Sequence, residues 1–396
     1  MNSAEHRQPE AGHGRIILLA AVGALGSMAI HMFVPAMPGV ARDLGTQADT
    51  VQLTVTLYLM GLGIGQLAAG PVADRFGRRP ALLCGLALFV AGAVGCALAD
   101  SASLLVAARV VQSLGAAAGL VAVRAIVADT SSRENAARRM GTLMSVVLVS
   151  PAISPLIGGG IASLGGWRLI FVVLAGAGVA GWLAAFLRIT ESRAAADGGG
   201  TLLHNYGRLV RNGRFLRYAA AIAASSCALY IFLSCSAFLL IDGYGLTPAE
   251  AGLCYFLVAG AGILGALSVG RFERRGGAFR LGLLGAVIGG GTMQLLALAG
   301  FDGPIALMAP MILVGFGTGV AAPAGVAGAM HAEAGLAATS ASLVGALQMV
   351  ASGLTTSIIV QLHIVSFGAL ATGLFAAALA GLIATPPGRA ADAAPN

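Results

Sequence analysis

The sequence predicts an all-α membrane protein of twelve transmembrane helices, arranged as two pseudo-symmetric halves of six. Three observations carry that prediction: a composition too apolar for a water-facing surface, twelve apolar runs of membrane-crossing length, and arginines gathered in every second loop. Apolar residues make up 58% of the 396 residues and charged residues 10%. A soluble domain carries roughly a quarter charged residues, so most of this surface must face lipid.

Composition also excludes function classes. All 23 Lys-or-Arg residues are Arg. Without Lys there is no Walker A phosphate loop and no Schiff-base lysine, so the chain contains no ATP-driven motor. The net charge of +7 does not mark a nucleic-acid binder, because the arginines form no basic face interleaved with aromatics. No HExxH, nucleophile motif or cluster of metal ligands occurs. The chain therefore reads as neither an enzyme nor a holder of cofactor or metal. Cys84, Cys96, Cys227, Cys235 and Cys254 fall in apolar stretches without a CxxC pair, and read as small packing residues.

A helix needs about 20 apolar residues to cross the ~30 Å hydrocarbon core. Six such runs lie at 16–37, 51–72, 80–99, 102–127, 139–162 and 168–188. Six more lie at 218–240, 250–270, 280–300, 303–327, 335–361 and 363–384. The first run is longer than the apolar region of a cleaved signal peptide and reads as a retained helix. Backbone groups in lipid must pair within their own segment, and no barrel-like alternation is visible.

The arginines orient these spans. Arg75, Arg78 and Arg79 follow the second run, and Arg133, Arg138 and Arg139 the fourth. Arg188, Arg193, Arg208, Arg211, Arg214 and Arg217 follow the sixth, and Arg271, Arg274, Arg275 and Arg280 the eighth. The opposite loops hold only Arg42 and Arg168. The positive-inside rule then puts both termini in the cytoplasm. The organisation is a first half at 1–188, a cytoplasmic linker at 189–217, a second half at 218–384 and a disordered tail at 385–396. The linker contains Gly198, Gly199 and Gly200 and a basic stretch suited to anionic headgroups. The tail is rich in Pro and Ala.

An internal repeat supports two halves. Asp74-Arg75-Phe76-Gly77-Arg78-Arg79 follows the second run, and Gly270-Arg271-Phe272-Glu273-Arg274-Arg275 follows the eighth. Four of six positions match at an offset of 196, about half the chain. Parallel repeats of this kind build transporters whose site lies between the halves near the bilayer midplane.

Three strings carry chemistry. In the first, Gly70-Pro71-Val72-Ala73-Asp74-Arg75-Phe76-Gly77-Arg78-Arg79-Pro80, Gly70 lets helices approach closely and Gly77 permits a tight turn. Pro80 suits a first helical turn, and Asp74 at the membrane boundary wants a cationic or helix-N-terminal partner. In the second, Arg109-Val110-Val111-Gln112-Ser113-Leu114-Gly115, an Arg stands about two turns inside an apolar helix, which is costly and usually functional. In the third, Ser150-Pro151-Ala152-Ile153-Ser154-Pro155-Leu156-Ile157-Gly158-Gly159, two prolines and two glycines free carbonyls and allow a bend. Gly61, Gly65, Gly115, Gly119, Gly315 and Gly319 form small-xxx-small patterns that read as packing surfaces. Tyr58, Gln66, Gln112, Tyr230 and Gln348 are polar or aromatic residues within spans, and candidates to line a cavity.

The first string resembles the loop-two signature of major facilitator transporters, and the third resembles the antiporter motif of drug exporters. Together the strings resemble the Bcr/CflA family of drug-resistance exporters, which includes bicyclomycin and chloramphenicol exporters. Val34-Pro35-Ala36-Met37-Pro38, Gln52 to Tyr58, Arg124 to Asp129, Gly166-Trp167-Arg168 and Ala338 to Leu343 extend the likeness over nearly the whole chain. The resemblance implies a monomeric bacterial inner-membrane protein that exports amphipathic small molecules by alternating access, in exchange for protons. It assigns Gly70, Asp74, Arg75, Gly77, Arg78, Pro151, Pro155, Gly158 and Gly159 to gating and switching. From their chemistry within apolar spans, His31, Arg109, Tyr58 and Gln112 are the candidates for substrate and proton coupling. One departure stands out. Where the family has an Asp in helix one, this chain reads His31-Met32-Phe33-Val34-Pro35. No other acid lies deep in a span, since Asp74, Asp129 and Asp242 sit near ends. A His titrates with an ordinary pKa of about 6.5 but offers no fixed negative charge. Import or uniport of a small metabolite is the alternative function.

Overall fold

A computed structural model describes residues 13–131, 133–192, 202–274, 277–333, 336–361 and 366–386. Gly198, Gly199, Gly200, Arg193, Arg275 and all but the first two residues of the expected tail lie outside the described residues. Among the described residues every regular element is helical. We label the spans α1 (Gly14–Asp43), α2 (Ala48–Phe76), α3 (Arg78–Ala97), α4 (Ala102–Asp129), α5 (133–164) and α6 (167–188). The second set is α7 (Gly213–Phe238), α8 (Pro248–Leu267), α9 (Ala278–Leu298), α10 (Pro304–Met330), α11 (Ala337–Gln361) and α12 (Phe367–Ala384).

The helical stretch Arg133–Arg188 has 56 residues. At 1.5 Å per residue it would run about 84 Å, far beyond one crossing. It breaks at Gly165 and Gly166, where φ of 75° at Gly166 takes the left-handed conformation open to glycine. Two spans result, as the apolar runs predict. Spans α4, α8 and α12 each start on a short polar side-chain cap. Ser101 accepts from the Leu104 amide at α4, and Ser366 from Ala369 at α12. Thr247 and Glu250 form a reciprocal capping box at α8.

Glycine decides how closely the helices pack. A Cβ at Gly61 would sit 2.1 Å from the Ser113 hydroxyl, and one at Gly115 2.3 Å from the Phe89 amide nitrogen. These contacts press α4 against α2 and α3. In the second half a Cβ at Gly319 would lie 2.0 Å from the Gly262 carbonyl oxygen and one at Gly317 2.5 Å from the Gly282 carbonyl oxygen, so α10 is pressed against α8 and α9. The same pairs of elements thus pack in both halves, which is the repeat seen as structure. Gly65 and Gly315 are also close approaches. Gly119 and Gly70 are not: a Cβ at either would meet nothing within 4 Å. The close approach expected at Gly70 is absent because this end of α2 is not pressed by a neighbouring helix there.

The linker holds an amphipathic helix, Leu202–Arg211. Its Leu209 is buried in a cluster with Phe215, Ile222, Leu336 and Leu343, while Arg208 and Arg211 face outward. Asn212 accepts from the Arg214 and Phe215 amides, starting α7, and donates to Glu333 (2.9 Å). Arg208 pairs with the same carboxylate. These hydrogen bonds, from Asn212 first and then Arg208, hold the Glu333 carboxyl below the usual carboxylate range. The latch is therefore intact at neutral pH and comes apart only in acid below that range.

Gly77 joins α2 to α3 at φ 104°, and a Cβ there would stand 2.5 Å from Glu191 Oε2. Gly77→Ala should lower thermal stability by about 1 kcal/mol or more, whereas Gly70→Ala should leave it unchanged. A thermal-shift assay in detergent checks the contrast, and equal melting temperatures for the two variants would refute it.

Candidate substrate and coupling site

The site begins with a break in α1. The regular helix runs to His31 and is followed by a tight turn at Val34–Ala36. Pro35 and Pro38 have no amide hydrogen to continue an α-helical ladder. The Phe33 amide turns to the Ile30 carbonyl (3.2 Å). The Ala29 carbonyl, which a continuing helix would pair with that amide, accepts instead from Arg109 Nη1 (3.0 Å). A charged side chain on α4 thus completes the backbone pairing of α1.

Arg109 is wholly buried, as are Tyr58 and Gln112, each at 0% exposure. Its second bond runs from Nη1 to Gln112 Oε1 (2.8 Å). Among the described residues no carboxylate pairs with it. Aromatic faces surround the guanidinium instead: Tyr58 at 4.0 Å, Phe33 at 5.0 Å and Phe171 at 5.8 Å from Cζ to ring centroid. Desolvated contacts of this type contribute about 2 kcal/mol each at best. Tyr58 is held in place by donating to the Gly26 carbonyl (3.0 Å). Among the described residues, Arg109 Nε and Nη2 and Gln112 Nε2 have no hydrogen-bond partner. The cation is stabilised by rings while part of its donor capacity stays unused.

His31 faces elsewhere. Arg109 takes the Ala29–Phe33 side of α1, and His31 lies on the Ser27 side, half a turn away. Its Nδ1 lies 2.8 Å from the Ser27 carbonyl. A carbonyl can only accept, so Nδ1 carries the hydrogen and Nε2 is left to exchange a proton. The ring is 5% exposed and stands 6.4 Å from the Tyr230 ring on α7. The structure gathers Arg109, Tyr58 and Gln112 into one cluster and sets His31 at the seam between the halves.

That seam is closed at the Arg-poor end of the bundle. Gln52 donates to the Ser234 carbonyl (3.1 Å), the Thr56 and Thr356 hydroxyls meet at 3.0 Å, and Arg42 pairs with Asp242 (2.6 Å). The proline-glycine string of α5 builds the tightest contact. Pro151 cannot pair with the Val147 carbonyl, and the Ser150 hydroxyl takes it (2.9 Å). A Cβ at Gly159 would lie 2.3 Å from the Pro248 carbonyl, and one at Gly252 2.5 Å from the Pro155 carbonyl. Gly158 presses on Met32 of α1, with a Cβ 2.1 Å from its carbonyl. Backbone thus meets backbone across the seam.

At the Arg-rich end, Arg78 pairs with Asp74 and with Asp129 (3.1 Å). Glu191, just beyond α6, accepts from the Arg78 (2.9 Å) and Arg79 (3.2 Å) amides. Arg75 lies over the Phe76 ring. This network binds α2, α3, α4 and the end of α6 into one body within the first half. Sequence reasoning missed Glu191, whose signal was a helix start at Gly77 with no side chain to cap it. It also missed Phe33 and Phe171, since spacing along one helix does not reveal which rings meet a cation on another.

Residues 19–356 match the profile of the Major Facilitator Superfamily. The chain belongs to that superfamily. Multidrug resistance protein D of Escherichia coli (strain K12) is 30% identical over 358 residues, 90% of each chain. A chloramphenicol resistance protein of Pseudomonas aeruginosa is 31% identical over 354 residues, 88% of this chain and 84% of that one. The fold is similar to the partially occluded inward-open structure of the xylose transporter XylE from E. coli, with a TM-score of 0.71 at 13% identity, covering 93% of this chain and 95% of that one. The protein is a multi-pass major facilitator transporter.

The Arg109 cage makes a specific demand on side-chain shape. Arg109→Lys keeps the charge but loses the planar stacking and the forked donor set. It should therefore fail to rescue Arg109→Ala. Both variants should reach the membrane at near wild-type levels and lose transport by about tenfold or more, ~1.4 kcal/mol. Initial rates in vesicles normalised to protein give the answer, and wild-type rates in Arg109→Ala would show the side chain to be incidental.

Proposed function

We propose that this transporter exports amphipathic small molecules across a bacterial inner membrane by alternating access, in exchange for protons, as a monomer with both termini in the cytoplasm. Support for export comes from the likeness, along about nine tenths of the chain, to a multidrug resistance protein and a chloramphenicol resistance protein. The alternation of Arg-rich and Arg-poor loops supports the orientation. In that orientation the seam is shut at its periplasmic end, the state in which an exporter takes up substrate from the cytoplasm.

The observation that carries the coupling reading is His31 at the seam, beside the α1 break and the Tyr230 ring, with Nδ1 committed to Ser27 and Nε2 available. His31 is neutral when the site faces the cytoplasm and protonated when it faces the periplasm. Protonation adds a donor at Nε2 and a charge at a contact between the halves. That charge disfavours the shut periplasmic seam by desolvation. Arg109, with three N–H donors on Nε and Nη2 in reserve, holds the α1 break in both states and re-pairs when the seam opens. Tyr58 and Gln112 orient it. The α5 string, with Pro151, Pro155, Gly158 and Gly159, is the periplasmic contact that opens.

Gly70, Asp74, Arg75, Gly77 and Arg78 form the cytoplasmic switch. Asp74 pairs here within its own half and exchanges that contact for one across the halves when the cytoplasmic end closes. Asp74→Asn should slow turnover several-fold while leaving substrate affinity nearly intact. Equilibrium binding set beside transport rate separates the two, and lost binding at normal turnover would refute a switching role.

The coupling reading is tested in reconstituted vesicles with an imposed pH gradient and an amphipathic drug such as chloramphenicol. Wild type should export, and an uncoupler should abolish the gradient-driven part. His31→Gln should remove proton-driven transport. His31→Asp should restore some of it, with a pH profile moved to lower values, because a carboxyl titrates at ~3.9 rather than ~6.5. Normal transport by His31→Gln at every pH would sink the coupling role, and concentrative uptake of a single metabolite would favour the importer.

A further inference from the structure

A groove of about 800 Å³ lies on the first half, with α1 as its floor and α5 and α6 as its walls. Its lining among the described residues comes from these three helices alone, with nothing from the second half. It is therefore not the cleft used for alternating access. The walls are apolar and partly open, with Ile153 and Val146 exposed. The hydroxyls of Ser145, Ser150 and Ser154 are all turned onto backbone carbonyls of their own helix, which leaves the groove without polar recognition. Along α1 it runs from Leu18 to Met28. That is about 15 Å at 1.5 Å per residue, half the ~30 Å core and so the depth of one leaflet.

The Arg-rich end of the groove carries a separate signal. On α1, Arg15 stands three residues before Leu18. On α6, Arg188 stands four after Ala184. On α5, Arg138 stands seven before Ser145. Spacings of three, four and seven return to the same helix face, so each helix that lines the groove places an arginine on the lining stripe at the same end. Arg15 is half-buried and donates from Nη2 to the Thr190 hydroxyl (3.1 Å), which fixes it between the start of α1 and the end of α6. Arg138 and Arg188 are exposed.

We propose that this groove is a binding site for one anionic phospholipid of the leaflet at the Arg-rich end. An acyl chain lies along α1 between α5 and α6, and Arg15, Arg138 and Arg188 hold the phosphate. The length of the groove matches a single leaflet, and the three guanidinium groups complement a headgroup that carries net negative charge. A neutral zwitterionic lipid satisfies the groove equally well and the arginines less well, so the site selects by headgroup charge.

Native mass spectrometry of the purified full-length protein, titrated with phosphatidylglycerol or phosphatidylcholine, tests this. Wild type should retain phosphatidylglycerol in preference. Each of Arg15→Gln, Arg138→Gln and Arg188→Gln should lower that preference about fivefold. Arg271→Gln, exposed at the same end but in the second half, should leave it unchanged. Ala180→Trp, which fills the groove from the α6 wall, should reduce retention of both lipids by one molecule. Each single substitution is checked for native helicity and elution, and Arg188 and Arg138, being exposed, keep the test alive if Arg15→Gln misfolds. A preference lost equally in Arg271→Gln, or unaltered in all three groove variants, overturns the proposal in favour of ordinary annular lipid. If Ala180→Trp leaves lipid retention unchanged but impairs drug export, the groove is a substrate path and the proposal is likewise overturned.

Discussion

A carbonyl left unpaired inside a bilayer has no water to turn to, and this constraint shapes the first half of the protein. The prolines after His31 end the α-helical ladder of α1, and the Ala29 carbonyl is left without its amide. Arg109 supplies the missing donor from α4. The broken helix and the buried cation are thus one feature. Each alone carries a cost, since an unpaired carbonyl and an unpaired guanidinium are both unfavourable in hydrocarbon. The rings of Tyr58, Phe33 and Phe171 complete the arrangement by giving the cation a polarisable surround where no carboxylate is at hand.

From that point the rest of the first half is positioned. Arg109 joins α1 to α4 and, through Tyr58, to α2, while Phe171 brings in α6. Because Arg109 occupies one side of α1, His31 is left on another, against the second half. Gly158 packs on Met32 within the broken stretch, so the α5 string touches the break on one side and α8 on the other. A change at the break is therefore felt directly at the contact that seals the Arg-poor end. The His31 ring, the break and the seal are neighbours.

At the opposite end the chemistry is different. Contacts there are between charged groups at the membrane boundary, where water competes and individual pairs contribute modestly. Arg78, Asp74, Asp129 and Glu191 act as a set, tying helix ends within one half rather than across the seam. The linker helix does the same for the second half through Asn212, Arg208 and Glu333. Between the halves, α2 packs on α11 along much of its length, from Thr56 against Thr356 through Gly63 against Val350 to Leu67 against the Leu336 and Leu343 cluster.

The sequence by itself determined the class of fold, the number of crossings, the repeat and the pattern of Arg-rich loops, because each follows from the bilayer. Apolar run length, the gap between the runs at 139–162 and 168–188, and arginine placement are one-dimensional consequences of a solvent that admits no unpaired backbone and little charge. It also determined which residues were out of place: a cation inside α4, prolines inside α1 and α5, and a His where a related family carries an acid. What only the tertiary structure decided is who answers whom. Arg109 meets a backbone carbonyl and three rings rather than an acid, His31 meets Tyr230 rather than Arg109, and Glu191 rather than any residue of the loop caps α3. Close approach proved real at Gly61, Gly115 and Gly159 and absent at Gly70 and Gly119. The physical reason is the same in each case: a periodicity of 3.6 tells which face of a helix a residue occupies, and only the rotation and crossing of the packed helices fixes what that face touches.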